Sequence, residues 1–314
     1  MSDTLLTTPI DCIQHGDCRE LLRGVCNDYF SVCITDPPYN YEFVGRNWDT
    51  TEIDRRINRI KDSKTLVKNI PYGSGLAGGV RNKRWYERVR GNIVDYQKWC
   101  ADWGNEVFRT LRPGAFVLVF NSTRTVAHVQ VALEEVGFYA RDILVYRRHA
   151  GIPKGLNVAR KLQSLGEEDW ESWEGWHSCL RNEWEAICVL QKPLIGNYIT
   201  TIREYKVGLL NAEMNGAGFL SNVLEGFRKV ASDEVDGHCT VKPLALMKHL
   251  VKLTVPNNDR HIILDPFAGT GTTCLAAKQL GHHFVGMEIN ASYVPIAENR
   301  IIQTISGQRS LFTE

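Results

Sequence analysis

The sequence predicts a doubly wound α/β fold on a mostly parallel sheet, and three observations carry that prediction. Apolar runs of strand length alternate with stretches of helical period along the 314 residues. One run, Ala115-Phe116-Val117-Leu118-Val119-Phe120, is apolar throughout, as a strand covered on both faces should be. Two other runs end in loops suited to ligands. Ser31-Val32-Cys33-Ile34-Thr35 leads into Asp36-Pro37-Pro38-Tyr39, where two prolines cannot continue a ladder and the backbone must leave the sheet. Residues 261–264 lead into Asp265-Pro266-Phe267-Ala268-Gly269-Thr270-Gly271-Thr272-Thr273. In open α/β sheets, ligands bind outside the carboxyl ends of the strands.

The elements follow in chain order. Residues 10–15 read as a short strand ending at Gly16-Asp17, and 19–25 as a short helix. The Asp-Pro-Pro-Tyr strand comes next. Residues 96–111 have helical spacing in Trp99, Trp103, Val107 and Leu111, and stop at Pro113-Gly114. After the strand at 115–120, a helix over 126–136 is closed by Gly137. Residues 142–146 and 185–190 are two more strands. A helix spans 243–253, with proline suited to its first turn. The glycine loop then enters a helix over 273–280, stopped by Gly281, and is followed by a strand at 283–289 and a helix at 293–301.

Three stretches break the alternation. Residues 41–94 form a basic, glycine-bearing insertion beside the Asp-Pro-Pro-Tyr strand, read as a phosphate-contacting lid or a solvated charged loop. Residues 149–184 form an acidic insertion rich in tryptophan (Trp170, Trp173, Trp176 and Trp184). The surrounding acids repel phosphate, so these rings are expected in core packing or at a protein interface rather than stacked on DNA. Residues 194–239 are irregular.

Composition limits the function classes. The 37 basic and 36 acidic residues nearly cancel, so nucleic-acid contact must come from a local patch. No run of about 18 apolar residues suggests a membrane span, and Met1-Ser2-Asp3-Thr4 lacks a basic region followed by an apolar one, so no signal peptide is expected. The nine cysteines are odd in number and contain no C-x-x-C pair; they are expected to be reduced and mostly buried in a cytoplasmic protein, with no metal site.

The two loops carry the chemistry. A carboxylate, rigid backbone carbonyls and an aromatic ring at Asp36-Pro37-Pro38-Tyr39 can hold a planar base by its amino group; the plain alternative is a turn. Around Gly269 and Gly271 the backbone can approach a ligand, the following helix N-terminus favours an anionic group, and Glu288, about 20 residues on, is placed to take ribose hydroxyls. The third glycine of G-x-G-x-x-G is missing, which disfavours hydride transfer.

Together, Asp36-Pro37-Pro38-Tyr39 and the loop from Asp265 to Thr272 resemble the DNA amino-methyltransferases that use S-adenosylmethionine. The catalytic motif comes first and the cofactor motif near the end, as in the permuted β group. Gly16-Asp17-Cys18, Leu111-Arg112-Pro113-Gly114, Thr240-Val241-Lys242-Pro243 and Tyr293-Val294-Pro295-Ile296-Ala297 fall where that family has similar segments. Segments at 40–49, 123–125 and 151–155 look like a phage and prokaryotic DNA-modification methylase subfamily, from which residues 146–154 depart. The resemblance implies a Rossmann-like methyltransferase sheet, circularly permuted, with insertions, in one methyltransferase domain over 1–314. It places the first strand beside the last and target recognition in 194–239.

It also implies the roles. Asp36 and the Pro37 carbonyl accept the two amino hydrogens, Pro38 completes the rigid turn, and Tyr39 stacks on the base. Asp17 contacts the cofactor adenine, or merely caps the helix after it. Asp265, Phe267, Ala268, Gly269 and Gly271 form the cofactor loop and Glu288 takes the ribose. Thr240 and Lys242 face the methionine carboxylate. The implied partner is double-stranded DNA with the target base flipped out; a homodimer and a cognate restriction endonuclease are left open. Asp36 leans the target to adenine N6, since the cytosine enzymes often carry Ser there. Cytosine N4, RNA or protein amide nitrogen, and a non-catalytic DNA-binding or subunit protein are the rival readings.

Overall fold

The computed structural model describes residues 8–39, 83–148, 155–216, 218–233, 235, 241–257 and 259–310. Most of the basic insertion at 41–94 lies outside the described residues, as does its expected lid. The chain forms two compact units, one of Met1–Pro38, Gln97–Arg147 and Glu185–Glu314, the other of Tyr39–Tyr96 and Arg148–Trp184.

The first unit holds a mixed eight-stranded sheet. In chain order its elements are β1 (Cys12–His15), α1 (Cys18–Arg23), β2 (Phe30–Thr35), the later turns of α2 (Lys83–Thr110), β3 (Leu111–Asn121), α3 (Val126–Val136) and β4 (Tyr139–Arg147). After α4 (Val158–Leu165), which belongs to the second unit, come β5 (Trp184–Gln191), α5 (Tyr198–Tyr205), β6 (Val223–Leu224), α6 (Leu244–Thr254), β7 (Ile262–Asp265), α7 (Thr272–Gln279), β8 (His283–Glu288) and α8 (Tyr293–Ser310).

The strand order is β1-β8-β7-β2-β3-β5-β4-β6. The ladders β1–β8, β8–β7, β7–β2 and β2–β3 are parallel, and β3–β5 is antiparallel. The first strand therefore lies beside the last, with Cys12 opposite Val285 and His15 opposite Glu288, as the permuted order requires. All six residues of β2 are buried, and Phe116 to Phe120 of β3 are at most 2% exposed. Their continuous apolar runs are those of central strands covered on both faces.

Local chemistry fixes the flanks of this sheet. Arg109, near the end of α2, donates to Leu22 and Val25 carbonyls at 2.7 and 2.8 Å and thereby satisfies backbone acceptors at the end of α1. Buried Gln191 donates to the Gly114 and Gly208 carbonyls and accepts from Tyr139 and Arg141, so both polar atoms of its amide are paired.

The second unit is described in its 155–184 part by α4, capped by the Asn157 side chain on the Arg160 amide, and a short 3-10 turn at Trp170–Trp173. A bridge joins Asn157 to His177. Core packing or a protein interface was expected for the tryptophans; Trp173 and Trp176 are not in the core but 42% and 62% exposed, and they meet edge to face at 6.2 Å. The intervening segment is too short and acidic to bury both rings.

Eight cysteines fall among the described residues, and all are free thiols. Among these residues no helix is long and apolar enough to cross a membrane.

Candidate active site

The carboxyl ends of the parallel strands gather the predicted residues. β1 ends toward Asp17, β2 in Asp36, β7 in Asp265 and the glycine loop, and β8 in Glu288. Because β5 runs antiparallel to β3, with Asn121 opposite Ala186, it is the start of β5 that reaches this same edge, and it brings Glu185 there.

Asp36 leaves the sheet at the end of β2, and Pro37 behind it is buried. Lys242, just before α6, sets its ammonium 2.5 Å from Asp36 Oδ2 and 3.3 Å from Glu185 Oε2. It also lies 5.0 Å above the Phe120 ring centre. Burial penalises the Lys242 ammonium, but the negative charges of Asp36 and Glu185 outweigh that penalty, and its pKa is raised. The resemblance offered Lys242 to a methionine carboxylate; the carboxylates that hold it in the structure belong to the chain itself. Glu185 was read only as the start of a strand. Tyr39 directly follows Pro38, is half-buried, and counts with the second unit. Thr240 lies outside the described residues.

The cofactor side is built from two strand ends. Glu288 accepts from the Gly269 amide at 2.8 Å and the Asn290 amide at 2.7 Å, and the Gly16 amide donates to its carbonyl at 2.9 Å. Burial raises its pKa against those bonds. The Ala268 amide donates to the Met287 carbonyl, which ties the glycine loop to β8. Gly271 sits at φ +78°, and a Cβ there would come within 2.8 Å of the Ala297 Cβ, so only glycine suits it. Arg300 of α8 donates to the Thr270 carbonyl at 2.7 Å and holds the loop from the other side. The Phe267 ring rests on Trp99 and Trp103, with ring centres 5.4 and 5.6 Å away.

Two of the expected cofactor residues also hold the protein together. Asp265 was expected to bind cofactor. It is 4% exposed and accepts from the hydroxyls of Thr35 and Thr273 and the Phe267 amide, so it braces the loop from beneath. Burial pushes its pKa up to about 6 despite those donors. Asp17 caps α1 through the Arg19 amide, and the Arg19 guanidinium on its carboxylate holds its pKa low. The cap named for Asp17 is present.

An acid closing on a glycine turn, with an aromatic ring in the same loop, is a donor set that fits a nucleoside-bearing group. Beside it stands a carboxylate-proline turn. Fold and site together define a Rossmann-like nucleotide-cofactor class of protein with a charged cluster, Asp36, Lys242 and Glu185, beside the glycine loop. A family model described as DNA methylase, N6/N4 class, matches residues 30–299, and the chain belongs to that family. The type II methyltransferase M.HindIII of Haemophilus influenzae is 30% identical over 306 residues, covering 93% of this chain and 95% of its own. In fold, the chain is similar to a DNA modification methylase from Thermus thermophilus complexed with S-adenosyl-L-methionine (TM-score 0.54, 20% identity, 93% and 94% covered). It is also similar to the cytosine-N4-specific PvuII DNA methyltransferase (TM-score 0.58, 13% identity, 94% and 87% covered). The protein is therefore a DNA amino-methyltransferase, acting on adenine N6 or cytosine N4 with S-adenosylmethionine as methyl donor.

Proposed function

We propose that the chain methylates the N6 amino group of adenine in double-stranded DNA at specific sites. The observation that carries this reading is Asp36-Pro37-Pro38-Tyr39 at the carboxyl end of central strand β2, with an acid in its first position.

An exocyclic amino group is a poor nucleophile because its lone pair is delocalised into the ring. In this reading Asp36 accepts one amino hydrogen and the Pro37 carbonyl the other. Both bonds favour a pyramidal nitrogen with its lone pair localised. Pro38 stiffens the turn and Tyr39 stacks on the base. Holding the base in line supplies most of the rate, and electrostatics at the amino group add to it. The proton leaves afterwards through Asp36 or water, so no covalent adduct with the protein is required. The base is flipped from the duplex at a cost of a few kcal/mol.

S-adenosylmethionine supplies an electrophilic methyl group when bound. Glu288 takes the ribose hydroxyls, and Gly269, Gly271, Phe267 and Ala268 form the loop beneath. Asp17 contacts the adenine, and Thr240 and Lys242 the methionine carboxylate. Lysine has three N–H donors, so Lys242 can serve Asp36, Glu185 and that carboxylate together. Residues 194–239 read the target sequence. The reading places the enzyme in the cytoplasm.

Nucleoside mass spectrometry of DNA from cells expressing the chain tests the target. N6-methyladenine is the expected product; N4-methylcytosine without it overturns the adenine assignment and leaves the family intact.

A further inference from the structure

Glu185 belongs to none of the motifs above, yet it reaches the catalytic edge. Its carboxylate and that of Asp36 lie within 3.3 Å of one ammonium, Lys242 Nζ, on side chains only 14%, 26% and 11% exposed respectively. Three elements supply the three groups: the end of β2, the start of β5 and the approach to α6. Asp265 is the further charged group whose field couples to Asp36. A lysine alone on Asp36 would fix the carboxylate but cancel its charge. The second carboxylate returns the cluster to a formal charge of −1.

That sign matters for the reaction. The amino nitrogen becomes cationic as it takes the methyl group, and the proton it then sheds goes to Asp36 or water. A net negative cluster at that point stabilises the developing charge, and a neutral one does not. We propose that Glu185 is a positioning residue for methyl transfer: through Lys242 it fixes the Asp36 carboxylate and keeps the site net negative where the target amino group docks. The proposal rests on the assignment of Asp36 as the amino-group acceptor.

The test begins with wild-type transfer to methyl-free duplex DNA, which must occur and be lost in Asp36→Ala; failure here rejects the Asp36 reading itself. Single-turnover rates and cofactor Kd are then measured from pH 5 to 9. Glu185→Gln is expected to slow transfer about tenfold with cofactor Kd within about twofold of wild type. In Lys242→Gln the two carboxylates face one another without the ammonium. Like charges then raise one of their pKa values, so the acidic limb of the rate profile moves upward by about one pH unit or more. The double variant Glu185→Gln/Lys242→Gln removes the repulsion and returns the limb toward wild type.

A second readout needs no turnover. In the cofactor-free protein, the carboxyl ¹³C resonance of Asp36, assigned by its loss in Asp36→Asn, should titrate at higher pH in Lys242→Gln and move back in the double variant. If Glu185→Gln fails to bind cofactor, Glu185→Asp carries the test, because it keeps the charge; it should retain most of the wild-type rate. Wild-type rates in Glu185→Gln, or an acidic limb that does not move in Lys242→Gln, or one that does not return in the double variant, overturn the proposal while leaving Asp36 in its role.

Discussion

In its proposed role the Asp36 carboxylate meets two demands, accepting from a neutral amino group while staying beside the Lys242 ammonium. The substitution Asp36→Ala removes the acceptor and leaves Lys242 and Glu185 as a neutral pair. Transfer of labelled methyl to duplex DNA is expected to vanish with cofactor binding retained, and labelling that survives would reject the assigned chemistry. Gly271 gives a second prediction at this scale. Its φ of +78° and the nearness of Ala297 make Gly271→Ala strained by about 1–3 kcal/mol. Calorimetry should show a weaker cofactor Kd and a lower Tm. Single residues were unevenly legible. Glu288 and the glycines announced themselves by spacing, because a turn followed by an acid after the next strand is a local pattern. Glu185 did not, because its meaning depends on β5 running against β3, and strand direction is set by tertiary pairing rather than by nearby sequence. The bracing contacts of Asp265 were hidden for the opposite reason: its place in the motif is plain, but which protein groups a carboxylate meets is decided by packing.

Among elements, the helix at 126–136 was readable residue for residue, because its apolar period is regular and Gly137 ends it. The central strands were placed but not bounded: β3 was read as 115–120 with Leu111 closing a helix, and it runs from Leu111 to Asn121. Helices α4 and α5 were missed. Both have eight residues, too few for periodicity to outweigh their polar content, although each carries an asparagine cap that would have marked its start. The part of α2 before residue 96 was missed because Gly91 and the charged residues around it mask the pattern. Helix α1 offers a prediction that separates two functions of one side chain. Asp17→Ala should cost about 1 kcal/mol in urea unfolding through loss of the cap, whereas Asp17→Asn keeps a good cap. If Asp17 also meets the cofactor adenine, as proposed, Asp17→Asn will weaken cofactor binding with little change in stability; an unchanged Kd would confine it to capping.

Over the whole molecule, two buried groups oppose each other in acid. His261, with no exposed surface, accepts or donates at Ser31 and is driven by burial to a pKa of about 4, below its ordinary 6.5. Between those values the unfolded chain binds a proton that the folded chain does not, so this residue makes stability rise with pH. Asp265 is raised to about 6 from 3.8, so across that window the folded chain binds the extra proton and stability falls with pH. The two effects largely cancel between pH 4 and 6. Asp265→Asn removes one of them. Urea unfolding from pH 4.5 to 6 should then gain a slope about 1 kcal/mol per pH unit more positive than wild type. Parallel slopes would show that Asp265 is ionised throughout. At this scale the sequence was most readable: the order of motifs implied that the first strand pairs with the last, and it does.

That pairing has a consequence for how the molecule comes into being. β1 is an edge strand whose ladder partner is β8, so β1, once it leaves the ribosome, waits for β8 before it can be seated. Closing such a long loop is slow compared with the local steps around it. Glu288 and the Gly16 amide meet only at that closure. A growing chain therefore cannot assemble the Gly16–Glu288 contact, or seat β1 in the sheet, until β8 has emerged.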